Sequence, residues 1–150
     1  MTDSPVDFVN LTTDPLDLQE IVDLVKDNGA GAISTFSGTT RNTFDGKTVI
    51  QLDYEAYTPM AVKQLSSLIV TARSKWSITK AAIYHRLGTV PVGETSVIVA
   101  VSTVHREESF RAVEFLVNEL KATVPIWKKE MYSDGSVWKE NAESRRCCRS

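Results

Sequence analysis

The run Val97-Ile98-Val99-Ala100-Val101, followed by His105-Arg106 and then by Phe110, Val113, Leu116, Val117 and Leu120, decides the class of fold. Five consecutive apolar residues, β-branched apart from Ala100, predict a strand covered on both faces, because a strand with one wet face alternates instead. The apolar positions after His105-Arg106 recur at helical spacing and are expected to point inward, with Pro125 closing the helix.

Working outward, Asp14-Pro15 reads as an N-cap with proline at the first helical position, followed by Leu18, Ile21, Val22 and Val25 and a terminating Gly29. Thr58-Pro59 repeats the start signal, and Leu65, Leu68, Ile69, Ala72 and Trp76 carry a second apolar stripe. Ile50, Leu52 and Tyr54 alternate with Gln51, Asp53 and Glu55, the period of a strand with one wet face. Further strands are expected near residues 6–11, 32–37 and 81–87, and residues 126–132 and 137–139 form a hairpin around Ser133-Asp134-Gly135-Ser136. The sum is an α+β domain with a mostly antiparallel or mixed sheet and three main helices.

The 150 residues suffice for one domain, and 42% hydrophobic with 24% charged residues is globular composition. Residues 1–140 are expected to form the domain and residues 141–150 a basic tail. Seventeen Lys and Arg against nineteen Asp and Glu give a net charge of −2, so any anion site must be local. The charge is uneven, with seven acids and one base in residues 1–30. That segment has neither a basic start nor a long apolar run, and the expectation is a soluble, cytoplasmic protein. The only cysteines, Cys147 and Cys148, are neighbours in the tail. They offer no disulfide framework and no spaced ligand cluster, so no metal or other cofactor is expected.

Three places carry residues suited to anion chemistry. Gly38-Thr39-Thr40-Arg41-Asn42 lies between two expected strands and reads either as a loop offering N–H groups and a guanidinium, or as a solvated connection. His105-Arg106 falls where a buried strand meets a helix start, a plausible phosphate seat unless Arg106 simply pairs with a nearby acid. His85-Arg86-Leu87-Gly88 is followed by a turn, which favours a structural role. Lys121 sits in the last turn of the third helix, where the dipole favours a cation. On the following strand Lys128 and Lys129 face opposite sides, so at most one joins Lys121 in a cleft, where the two ammonium groups would depress each other's pKa.

Together these pieces resemble the large, catalytic subunit of molybdopterin synthase, from about Val6 to Trp138. The resemblance rests on Phe36-Ser37-Gly38 with Arg41, on Leu52-Asp53-Tyr54-Glu55-Ala56-Tyr57 with Met60, and on His85-Arg86-Leu87-Gly88 and Gly93-Glu94. It continues through His105-Arg106, Leu120-Lys121 and Pro125-Ile126-Trp127-Lys128-Lys129-Glu130. It implies an α/β hammerhead fold and the conversion of cyclic pyranopterin monophosphate into molybdopterin. The implied sulfur donor is the C-terminal thiocarboxylate of a small ubiquitin-like subunit, in a heterotetramer built on a dimer of large subunits. Motif by motif, the resemblance implies a central catalytic role for Lys121, assistance from Lys128, and substrate binding by Arg41, His105 and Arg106, some of it across the dimer. One departure is visible: where bacterial relatives carry an Arg after the terminal Trp-x-Glu, Trp138-Lys139-Glu140 is followed here by Asn141-Ala142, with Arg145 and Arg146 further on.

Two rivals stand beside this reading. One is a non-catalytic module that binds a phosphorylated small molecule or a partner's carboxylate tail through the same cations. The other is a single-stranded nucleic-acid binder stacking bases on Trp127, Tyr132 and Trp138 beside Lys128 and Lys129, against which the net charge weighs.

Overall fold

A computed structural model of the chain describes residues 6–141, with side chains for residues 7–138. In chain order the elements are β1 (Val6–Thr12), α1 (Leu18–Val25), β2 (Ala32–Thr39), β3 (Thr43–Phe44), β4 (Lys47–Ala56) and α2 (Thr58–Lys75). They continue with β5 (Lys80–Arg86), β6 (Gly88–Pro91), β7 (Thr95–Thr103), α3 (Arg106–Thr123), β8 (Ile126–Tyr132) and β9 (Val137–Asn141). Cys147, Cys148 and the tail arginines lie outside the described residues.

The apolar run is the inner strand of a four-stranded sheet ordered β1-β5-β7-β2, in which β1 runs parallel to β5 and the other pairs are antiparallel. Both faces of β7 are covered, as its composition requires. Val97, Val99 and Val101 join Ala81 and Ile83 of β5 against α2 and α3, where Leu65, Ile69 and Leu116 are fully buried. Ile98 and Ala100 join Ala82 against Ile21 and Val25 of α1. Each fully buried Leu or Ile contributes about 2 kcal/mol.

A second sheet runs β3-β4-β8-β9, with β6 on the side of β4 away from β8 and all its pairs antiparallel. Its inner face holds a small cluster of Val49, Leu52 and Tyr132. The chain passes from the first sheet to the second at Leu87-Gly88. Gly88 takes φ +78°, a conformation a side chain would oppose. His85 closes the junction: it is 5% exposed and its ring meets the edge of Tyr54 of β4 at 4.8 Å between centroids. Among the described residues the result is the expected α+β organisation with three helices, its strands divided between one mixed and one antiparallel sheet.

Four local expectations shift. α1 starts at Leu18, not after Asp14, because Asp17 is the residue whose carboxylate accepts from the Glu20 N–H, while the Asp14 N–H is taken by Thr12 Oγ1 in a turn. The helix ends at Val25, since Lys26 is already extended, and Gly29 instead donates its N–H to Asp27. In β4 an irregularity between Val49 and Gln51 turns Val49 inward and leaves Ile50 51% exposed. Phe110 is 59% exposed, and the inward position of the first turn belongs to Ser109, whose hydroxyl lies 2.6 Å from that of Ser34 on β2. The short strands β3 and β6 have no counterpart in the sequence reading.

Two predictions follow from this packing. A Cβ on Gly31 would stand 2.5 Å from the Val104 carbonyl oxygen, so Gly31→Ala should cost about 1–3 kcal/mol, read as a lower denaturation midpoint at unchanged m. Burial pushes the His85 pKa from 6.5 down to about 4. Between those pH values the unfolded chain binds a proton at His85 that the folded chain refuses, so stability falls as pH drops through the window. The loss should reach about 3 kcal/mol near pH 4 and be absent in a folded His85→Gln chain, whose stability across this range would otherwise match.

Candidate active site

The two sheets and the C-terminal end of α3 frame a cavity of about 490 Å³. One wall comes from β2, where Gly38 leaves no room for a side chain: a Cβ there would come within 2.8 Å of Val97 and 3.3 Å of the Phe36 ring. The loop after β2 contributes Arg41 and β3 contributes Phe44, while Leu52 and Tyr54 of β4, His85 of β5 and Val97 of β7 form the interior. Lys121 enters from α3, and Lys128 and Glu130 enter from β8.

Lys121 lies in the last turn of α3, where the helix dipole favours its charge, and its Nζ stands 5.5 Å from the centroid of the Phe36 ring. Lys128 is nearly buried and its Nζ lies 3.1 Å from Glu130 Oε1. Glu130, 3% exposed, also accepts from the Tyr132 hydroxyl. A carboxylate so deep is tolerated because an ammonium and a phenol satisfy it, and the pair in turn fixes where the Lys128 ammonium sits.

Of the five residues singled out from the sequence, Arg41, Lys121 and Lys128 line this cavity together. Lys129 does not, consistent with alternation along β8. His105 and Arg106 are at the opposite end of α3, about 24 Å from Lys121 along the helix at 1.5 Å per residue. Both are exposed, and Arg106 has no ion pair among the described residues. The cavity is also lined by His85, to which the sequence reading assigned a structural role, and by Glu130, to which it assigned none. Glu130 was legible as a carboxylate two positions from Lys128 on a strand, hence on the same face. For Arg86 of the same motif the structural role holds: its guanidinium pairs with Glu94 at 2.6 Å.

The stacking platform of the nucleic-acid rival is not assembled. Trp127 and Tyr132 occupy opposite faces of β8, Tyr132 is 7% exposed, and Trp138 stacks on Phe44 at 5.9 Å. Among the described residues no group of three or more His, Cys, Asp or Glu is placed to hold a metal, and no helix is long and apolar enough to cross a membrane. What the cavity offers is a set of cations, an aromatic wall and a buried imidazole, suited to a planar ligand that carries negative charge.

The family model described as MoaE protein matches residues 11–123. A molybdopterin synthase catalytic subunit of Arabidopsis thaliana is 60% identical over 128 residues, which cover 85% of this chain and 65% of that protein, so the chain spans just under two thirds of its length. The protein of the same name in Taeniopygia guttata is 51% identical over 142 residues, covering 94% of this chain and 92% of its own. Among solved structures, molybdopterin synthase from Staphylococcus aureus superposes with a TM-score of 0.83 at 31% identity, over 87% of this chain and 95% of that one. With the fold, the cation-lined cavity and both kinds of similarity in agreement, the chain belongs to the MoaE family, whose matched members are molybdopterin synthase catalytic subunits.

Proposed function

We propose that this chain transfers sulfur from the C-terminal thiocarboxylate of a small ubiquitin-like subunit to cyclic pyranopterin monophosphate, forming the dithiolene of molybdopterin. The observation that carries the reading is the meeting of Arg41, Lys121 and Lys128 in one cavity from a loop, a helix end and a strand spread over 88 positions of sequence. An extended tail can deliver a reactive group into such a cavity, and sulfur that arrives on a partner removes any need for a cysteine in this site. The substrate phosphate and the partner's thiocarboxylate are both anions, and fixed cations stabilise them and the charge that develops on the leaving oxygen.

In this reading Lys121 sits at the partner's thiocarboxylate and the substrate, Lys128 assists from its anchor on Glu130, and Arg41 takes the phosphate. His105 and Arg106 serve a second copy: from the far end of α3 they complete the cavity of the neighbouring large subunit in a homodimer, with one small subunit per large one in the heterotetramer. A binding module without turnover would use the same cations but release no product.

The first test is product formation from cyclic pyranopterin monophosphate and the thiocarboxylated small subunit. Lys121→Ala should fold and lose about 100-fold or more in rate, and a variant retaining most of its activity removes Lys121 from the reaction. The second is complementation between chains that are each inactive. Co-assembled Lys121→Ala and Arg106→Ala chains should recover about a quarter of wild-type activity, since half of randomly paired dimers are mixed and each mixed dimer holds one intact site. If Arg106 acted within its own chain, mixing would recover nothing.

A further inference from the structure

His85 is 5% exposed and borders the cavity, yet neither the ion pairs nor the structural roles described above account for its second ring nitrogen. Its Nδ1 lies 2.8 Å from the Arg86 carbonyl oxygen. A carbonyl only accepts, so Nδ1 must carry the proton, and this fixes the tautomer. Nε2 is then a lone-pair acceptor, and among the described residues it has no hydrogen-bond partner. The Tyr54 ring packs edge-on against the imidazole and holds its plane, so this corner is the polar atom His85 has left to present to the cavity. Burial keeps the ring neutral at any pH well above 4. The buried carboxylate nearby, Glu130, is committed to Lys128 and Tyr132.

An acceptor cannot pair with an ionised phosphate or a thiocarboxylate, which offer only acceptors themselves; their lone pairs repel. The position opposite Nε2 therefore selects the end of a ligand that carries N–H groups, and a fused pterin ring carries several. We propose that His85 Nε2 accepts a hydrogen bond from a ring or exocyclic N–H of the pterin, and thereby fixes which end of the substrate faces the interior while the phosphate faces the cations. This deepens the functional reading above and rests on it.

The test uses the assembled enzyme with its thiocarboxylated small subunit. His85→Leu fills the space without an acceptor and should raise the substrate KM about tenfold, the loss of one buried hydrogen bond, with a smaller change in kcat and unchanged affinity for the small subunit. His85→Gln, which can offer an amide oxygen, should stay within about threefold of wild type. The wild-type protein gives an answer independent of how the variants fold: the 15N resonance of His85 Nε2, distinguished from the one other histidine by a His105→Gln chain, should move upfield when substrate is added. An unmoved resonance, an unchanged KM in folded His85→Leu, or an equal loss of small-subunit binding each overturns the acceptor role. A wild-type assembly that forms no product overturns the functional reading and this inference with it.

Discussion

Strand β7 has no wet face, and the arrangement of the whole molecule follows from covering it. Its odd-numbered residues require α2 and α3 on one side and its even-numbered ones require α1 on the other, while β5 and β2 satisfy its two hydrogen-bonding edges. The covering also sets the site by length. The nine residues of β7 span about 30 Å, from the end that holds Ser96 and Val97 to Thr103. Eighteen residues of α3 bring the chain back about 27 Å. Lys121 therefore arrives beside the cavity wall from which β7 set out, and the helix N-terminus is left at the opposite end of the sheet.

The class of fold, α2, α3 and the hairpin of β8 and β9 were legible because strong periodicity coincided with a clear start signal at Pro59, a stop at Pro125 and a turn at Gly135. What was not legible depended on competition between neighbours. Asp14 and Asp17 are both acceptable N-caps; the helix uses Asp17, whose carboxylate accepts from the Glu20 N–H, while the backbone at Asp14 is held to Thr12 in the turn after β1. Ile50 was assigned inward by alternation, but one irregularity in β4 gave that place to Val49. Phe110 and Ser109 are adjacent on a helix that packs against β2, and the close approach of Ser34 admits only the smaller side chain.

Within the site, the residues legible from sequence were the cations, because charge at a helix end or in a glycine-containing loop is visible one residue at a time. Their surroundings were legible only in part. Strand spacing puts Glu130 on the face of Lys128 and Tyr132, but its burial between them appears only in the folded sheet, and His85 becomes part of the cavity wall only when Tyr54 of the other sheet closes over it. That the five expected site residues do not meet in one chain was, by contrast, available from spacing: Lys121 lies sixteen residue steps along the helix from His105, about 24 Å.

This separation makes α3 a rigid spacer between its His105-Arg106 end and its Lys121 end. A helix whose inner stripe of Ala112, Val113, Leu116 and Leu120 is buried against β7 and α2 cannot bend to bring them together. The His105-Arg106 end therefore lies beyond side-chain reach of the cavity that holds Lys121 in the same chain, which is why the proposed function gives these two residues to the cavity of a second copy. The burial that makes β7 an interior strand is thus also what holds the two ends of α3 apart.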